Sequence, residues 1–543
     1  MLAGQVRLAF VLHTHQPLVI GYGSWPHGED WLYEASSEVY IPLLDMLFRL
    51  LEDGIRANIN ISFSPILCEQ LSHPAFATGF VSFLWRKIES SKGDANYFQR
   101  IGSYKLADLA MWWTSHYQTV LAHFTDRYHY TIVPHFRRLS DEGAIEVMSA
   151  PATHPLLPLL PDDGSIRAQL YQGIRTSERH FGKKTAGLWL PECAYRPEGL
   201  FDVPFANATE RSGIETSIAS SNYSYTILPS HLIIGKPIGT FYGSFREEDG
   251  LKRSKELYKP CFIGDSNLIA FFRDNITAYQ IWSGPFNYPR DAWYMDFHKK
   301  HFPSGNRYWR VTDPNSDMVY KDIYEPVRAI EIAKAHALHI LSVISGMSDI
   351  TSDDGIITAP FDTEFFGHWW WEGLLFLEEV IRSANRGEVV KLTRLSDYIS
   401  SMQLSQRRAL EGGSWGEGGK FDTWLNDRTL WVWRIIHQAE EMMGALIDNS
   451  DKVKGGNLER VLNYALRELY FLEASDWTYL IGMNQAADYA SLRVSNHYEG
   501  FKRLFEIASS LYEGKRLDEA GRAFLSGFDN MGIFNDASWR DLK

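Results

Sequence analysis

Four apolar runs in this chain each finish on a titratable side chain, and this pattern narrows the possible folds sharply. "VRLAFVL" (6–12) passes directly into "HTHQP" with His13 and His15, and "AIEVMS" (144–149) leads to "APATHP" with His154. "AGLWLP" (186–191) leads to Glu192, and "GIITAPF" (355–361) leads to Asp362 in "DTEFFGHWWWEG". Short continuous apolar runs read as strands buried on both faces, the pattern of parallel sheets covered by helices. Further strands are expected at "ANINISFS" (57–64), "GIETSIAS" (213–220) and "NLIAFF" (267–272). Between the runs lie segments of helical spacing with glycine stops: "SSEVYIPLLDMLFRLLEDG" ending at Gly54, a helix near 165–181 closed by Gly182, and another near 324–346. Such alternation gives parallel strands joined by helices, either as a barrel or as a doubly wound sheet. In a barrel the carboxyl ends of the strands share one face, so the polar groups at those ends would converge there.

Two regions break the alternation. Residues 84–143 carry Trp, Tyr and His at helical spacing without a clear strand, which predicts a helical insertion between two strands. After about residue 390 the pattern reads as wholly helical, interrupted by the Gly-rich "EGGSWGEGGKFDTWLND" (411–427). The expected organisation is therefore a catalytic region over 1–390, interrupted at 84–143, and a helical C-terminal domain over 391–543 that contributes to the cleft. A length of 543 residues agrees with more than one core, because single cores stop growing at roughly 250–300 residues.

Charge and cysteine usage restrict the partners. A formal net charge of -13 without a run of like charges argues against nucleic acid and anionic membrane, both of which need a basic face. Three scattered cysteines form neither a disulfide framework nor a metal knuckle, so a reducing compartment, the cytosol, is expected. The first residues do not read as an export signal, and no run approaches the ~18 apolar residues of a membrane span. The 18 Trp, 27 Tyr and 31 Phe build cores, but Trp and Tyr in Gly-rich loops also suit flat, hydroxylated ligands such as sugars.

Two carboxylates at the ends of strands far apart in sequence, amid aromatic residues, suit glycosidic-bond chemistry. One must stay ionised to attack or stabilise the anomeric carbon, while the other holds a proton for the leaving oxygen. Taken singly, Glu192 also reads as a surface charge at the turn marked by Pro191 and Pro197, Asp362 as a helix N-cap, and each histidine as a structural one. A rival chemistry is a zinc-dependent hydrolase or deacetylase using His13, His15, His154, His368 and Asp362, although the HxH has no second clustered ligand motif after it. A second rival is a glucan-binding scaffold that uses its carboxylates only as acceptors.

"HTHQP", "WLPECAY", "FDTEFFGHWW" and "ASDWTYLI", in this order and at these distances, resemble the motif regions of glycoside hydrolase family 57, and within it most nearly the α-1,4-glucan branching enzymes. "VYIPLLDML", "SFSPILCEQL", "ATHPLLPLLP", "GDSNLIAFFRD", "YWRVT" and "GGSWGEGG" extend the likeness over most of the chain. The resemblance implies an α/β fold: a distorted (β/α)7 barrel with a helical insertion and a C-terminal helical domain. It implies Glu192 as nucleophile and Asp362 as general acid/base of a retaining transfer, in which an α-glucan such as amylose, starch or glycogen supplies donor and acceptor. His13, His154, Asp476 and Trp477 match substrate-subsite and site-supporting positions, with His15 beside them in the same motif. Trp282, Trp415 and Trp424 resemble glucan-stacking residues, and for Trp282 and Trp424 a core role is the alternative. The chemistry requires no metal or organic cofactor. A site-closing loop bearing a transfer tyrosine corresponds to 235–262, where Tyr242 is the first candidate and Tyr258 the second. This stretch is longer and more charged than the family pattern, so the resemblance leaves an α-amylase or a 4-α-glucanotransferase as alternatives to branching. A monomer or weak homo-oligomer is expected.

Overall fold

The computed structural model describes residues 5–24, 26–234, 255–283, 287–351, 354–449, 451, 453 and 455–543. Seven parallel strands close into a barrel: β1 (Val6–Thr14), β2 (Ile59–Phe63), β3 (Ile145–Met148), β4 (Gly187–Leu188), β7 (Tyr225–Leu228), β9 (Ile269–Phe272) and β10 (Ile356–Asp362). The intervening β5 (Gly199–Phe201) and β6 (Thr209–Arg211) form an antiparallel hairpin. Ladders join β10 to β1, β1 to β2, β2 to β3, β4 to β7 and β7 to β9. The two remaining seams are each held by a single parallel bridge, Ser149 to Leu188 and Arg273 to Thr358. This uneven closure makes the barrel a distorted (β/α)7 barrel.

The strands alternate between two apolar environments. Along β1, Ala9 and Val11 point into an inner cluster with Met148, Trp189, Tyr225, Ile227, Ile269, Phe271 and Ile356. Leu8, Phe10 and Leu12 point outward into the layer covered by helices. Both faces are thus desolvated, which explains continuous apolar runs where a one-sided sheet would alternate. The helix Asp163–Phe181 starts on the Asp162 side chain, which accepts from the Gly164 and Ser165 amides, and ends at Gly182 with φ 69°. At that left-handed position a side chain would be strained.

Three expectations need correction. "GIETSIAS" forms a helix, Ile214–Ser220, with Ile214, Glu215 and Ile218 buried at helical spacing. Its β-branched residues suggested a strand, but the barrel strand is the following Tyr225–Leu228. The region after 390 is not wholly helical: β11 (Val390–Leu392) pairs with β1, and β12 (Arg407–Arg408) pairs with β8 (Cys261–Ile263), itself antiparallel to β9. Segments of two and three residues are too short to show a period. The helical stretch near 84–143 begins earlier, with Pro74–Arg100 packed against Tyr104–Ala122. Beyond residue 429 come the helices Leu430–Asp448, Gly456–Leu472, Ser475–Gly482, Ala487–Tyr512 and Glu519–Asp529. Among the described residues no helix is long and apolar enough to cross a membrane.

Candidate active site

The two-residue period of a strand decides which side chains reach the barrel mouth. In β1 the inward series Ala9, Val11 continues to His13; in β10 the series from Ile356 through Thr358 and Pro360 ends at Asp362. The register pairs His13 directly with Asp362. In β9 the series Ile269, Phe271 continues to Arg273. These three residues therefore lie over the apolar interior at the carboxyl ends of their strands.

Glu192 arrives by another route. β4 ends at Leu188, Trp189 fills the interior, and the chain turns at Pro191 into a short 3-10 segment. Glu192 has φ 59° and ψ 20°, and Cys193 has φ 47°. Two successive left-handed residues other than glycine cost on the order of 1–3 kcal/mol each. Local bonds hold the turn: the Cys193 amide donates to Leu190 O at 2.8 Å and the Ala194 amide to Pro191 O at 3.0 Å. Trp415 grips Glu192 twice, through its backbone amide to Glu192 O at 3.1 Å and its indole Nε1 to Glu192 Oε2 at 2.7 Å. Glu192 keeps 17% of its side-chain surface exposed, so it remains reachable from solvent.

Histidines line the mouth beside it. His13 Nε2 lies 3.0 Å from His154 Nε2, His13 Nδ1 3.2 Å from Ser62 Oγ, and His154 Nδ1 3.0 Å from Ser475 Oγ. His15 bonds Ser64 Oγ at 2.8 Å and both carboxylate oxygens of Asp476 at 3.0 and 3.1 Å. The three imidazoles stack, with His15 and His154 centroids 4.1 Å apart, and Trp189 lies parallel to His13 at 4.4 Å. Ser475 and Asp476 open the helix Ser475–Gly482, so the C-terminal helices supply part of the mouth.

Burial dominates the electrostatics. It pushes His13 and His154 well below the usual histidine range, aided by repulsion from neighbouring imidazoles, so both are neutral at pH 7. Burial above all, with the charges of Asp362 and Asp476, raises Glu192 to about 8 against the Trp415 hydrogen bond. Burial likewise raises Asp362 to about 7, opposed by the Arg273 and His15 charges. The carboxyls therefore titrate as a pair that retains a proton at neutral pH. The Trp415 N–H donates to Glu192 and favours its ionised form, which is the condition a nucleophilic carboxylate needs.

The remaining expected residues divide clearly. Trp282 is 7% exposed, stacks on Phe365 at 5.4 Å and on its other contacts meets Arg273, so it is a wall of the site's floor. Trp424 is 1% exposed, and a Cβ on Gly416 would meet its ring at 2.4 Å, so a sugar-stacking role is corrected to a core role. Trp477 is fully buried with its indole donating to Phe471 O at 2.7 Å, so a substrate-contacting role is corrected to a core role. Tyr258 is 2% exposed and donates to Asp274 Oδ1 at 2.9 Å, which removes it as a lid residue. Tyr242 lies outside the described residues. His368 is engaged with Glu38 at 2.7 Å, away from the three stacked histidines. Among the described residues, His15, His154 and Asp476 present the one group of ligand-type atoms within 4.8 Å of one another. Each already holds a hydrogen-bond partner that a metal ion would displace. Sequence reading missed Arg273, Ser475, and Glu364, which accepts from Tyr40 at 2.5 Å and from the His15 amide at 3.3 Å. Extending the inward period of "NLIAFF" by one step would have found Arg273.

The profile of glycosyl hydrolase family 57 matches residues 9–411. The chain belongs to this family. A second profile, that of the 1,4-alpha-glucan branching enzyme C-terminal region, matches 435–537. Among relatives of this family 57 chain, the 1,4-alpha-glucan branching enzyme TK1436 of Thermococcus kodakarensis is 37% identical over 505 residues, which cover 92% of this chain and 73% of the relative. The crystal structure of the branching enzyme from Pyrococcus horikoshii superposes with a TM-score of 0.89 at 36% identity, covering 99% of this chain and 96% of that one. The α-amylase AmyC from Thermotoga maritima superposes with a TM-score of 0.80 at 27% identity, covering 99% of each chain.

Proposed function

We propose that this family 57 chain is a 1,4-α-glucan branching enzyme working by retaining double displacement, with Glu192 as nucleophile and Asp362 as general acid/base. The observation that carries the reading is that the segment matching the branching-enzyme C-terminal profile brings Ser475 and Asp476 onto the histidines beside Glu192. The catalytic barrel and the helical C-terminal part then form one cleft.

In the first half-reaction Glu192 attacks the anomeric carbon of an α-1,4-linked glucosyl unit while Asp362 protonates the departing oxygen, leaving a covalent glycosyl-enzyme. In the second, Asp362 takes the proton of a glucan 6-hydroxyl, whose oxygen attacks the same carbon, breaks its bond to Glu192 and creates an α-1,6 branch with Glu192 released as carboxylate. Neutral His13 and His154, bonded to Ser62, to Ser475 and to each other, form a fixed imidazole wall against which the sugar ring packs. The Trp415 indole favours the ionised form of Glu192 and aims it. We assign the substrate as amylose, starch or glycogen, the setting as cytosolic glycogen-type metabolism, and the working unit as a monomer or weak homo-oligomer, with no metal or organic cofactor in the chemistry.

The likeness to AmyC favours hydrolysis as the second reading, since water attacking the same intermediate gives an α-amylase. Incubation with amylose followed by debranching and chain counting decides between them. New α-1,6 linkages are expected; reducing ends without new branches would refute the branching assignment.

A further inference from the structure

Arg273 stands at one of the two thin seams of the barrel. Its backbone makes the lone bridge to Thr358 of β10, and its amide donates to Leu228 O at 2.9 Å. The side chain ends β9 on the inward face, with its guanidinium carbon 5.2 Å from the Trp282 ring centre and 5.4 Å from that of Trp415. Those two indoles meet edge to face at 5.7 Å. Arg273 Nε is buried without a hydrogen-bond partner among the described residues. A guanidinium held by two indole faces is fixed by cation–π contact and by the flatness of its plane.

We infer that Arg273 is a positioning residue of the site, serving as the counter-charge of Asp362 after that group gives up its proton and as the support that keeps Trp415 aimed at Glu192. This rests on the reading of Asp362 as the acid/base. The groups facing Asp362 are Arg273 from β9, His15 from the end of β1, Glu192 and Cys193 from the turn after β4, and Glu364 from its own loop. Among them Arg273 is the one permanent cation. Its charge opposes the effect of burial on Asp362, which makes Asp362 the stronger acid toward the leaving oxygen and stabilises the carboxylate that must persist until an acceptor glucan arrives. The second part of the role runs through Trp415, which touches Arg273 by its ring and Glu192 by its N–H.

The experiment compares Arg273→Met with Arg273→Lys. Asp362 is titrated directly by carbon-13 NMR of labelled aspartate carboxyls, assigned by subtracting Asp362→Asn, and kcat/KM on amylose is followed against pH. In Arg273→Met the Asp362 midpoint, about 7 with arginine present, is expected to rise by roughly one unit or more. The lower limb of kcat/KM, which Asp362 sets because it titrates below Glu192, should rise with it. Arg273→Lys keeps the charge and loses the stacking plane, so the midpoint should hold while kcat drops and the upper limb, set by Glu192, moves upward. An unmoved Asp362 midpoint in folded Arg273→Met overturns the inference. A midpoint that moves while the lower limb stays fixed supports Arg273 as the counter-charge and instead overturns Asp362 as the acid. If Arg273→Met does not fold, Arg273→Gln carries the same test; failure of both to fold would assign the residue to barrel closure alone and overturn the proposal.

Discussion

Replacing Trp415 by Phe isolates one hydrogen bond at the proposed nucleophile. The substitution removes the indole N–H that lies 2.7 Å from Glu192 Oε2. It keeps an aromatic ring near Arg273 and leaves the backbone amide bonded to Glu192 O at 3.1 Å, so the strained turn retains its main-chain anchor. A hydrogen bond to a charged group contributes about 1.5–3 kcal/mol. At 1.36 kcal/mol per pKa unit, its loss should raise Glu192 by roughly one to two units above its already elevated position. The sign is fixed by the donor, which favours the carboxylate over the acid, so removing it favours the acid. Glu192 must be ionised to attack and titrates above Asp362, so the upper limb of the kcat/KM profile should move upward by that amount while the ionised, productive fraction at neutral pH shrinks. Its rate at neutral pH should drop by roughly 10- to 150-fold. Initial rates of branch formation on amylose from pH 5 to 9, with circular dichroism to verify the fold, measure both effects. An upper limb that stays in place, with activity near that of the parent, would refute the claim that the indole tunes Glu192.

Other consequences can be checked independently. Glu192→Gln should lower turnover by several powers of ten, as removal of one member of a cooperating catalytic group does, while calorimetry shows glucan binding retained; unchanged turnover would refute Glu192 as nucleophile. Glu440 and Glu473 are buried neighbours in the helical layer, with Glu473 pushed up to about 8 by burial and Glu440 raised well above the carboxylate range for the same reason. Raised folded-state values mean that the native chain holds protons the unfolded chain releases above ~4.5, so stability is fully present below that pH and falls as pH rises through about 8. Glu440→Gln should flatten the decline in Tm between pH 5 and 9, and an identical decline would refute the pair as its source. Trp424→Ala should cost about 3–5 kcal/mol in urea unfolding as a core truncation; a loss of glucan affinity without loss of stability would return it to the binding surface. Full activity in a strong chelator is expected, whereas loss restored by zinc would establish the metal reading.

The fold was legible wherever a segment was long enough to show its period. The seven-residue β10 and nine-residue β1 read as strands and delivered Asp362 and His13 to the same layer. Two-residue β4 was legible only because "AGLWLP" is apolar beyond the ladder itself. β11 and β12 were lost because a strand of two or three residues has no pattern, and the 214–220 helix was misread because its Ile and Thr content outweighed a single turn of spacing. At the site, strand-end position identified the titratable groups, but not their burial. Trp415 and Trp424 come from the same Gly-rich stretch, and nothing in its spacing tells that one indole faces a carboxylate and the other the core. That difference arises from Gly416, whose missing side chain lets the Trp424 ring pack against the backbone.

The two thin seams of the barrel and the two proposed catalytic groups coincide, and the geometry gives a reason. A full ladder between β3 and β4 would hold the chain extended past Leu188 and carry residue 192 along the barrel wall. With one bridge at Ser149 and Leu188, the chain is free to turn at Pro191 and adopt two left-handed residues, which swings the Glu192 carboxylate over the mouth. Across the barrel, the bridge between Arg273 and Thr358 joins β10 to the chain only where β9 ends, and there the Arg273 guanidinium packs against two indoles beside Asp362. Strengthening either seam should therefore raise stability and lower activity together. In a barrel whose site owed nothing to its distortion, the two quantities would vary independently.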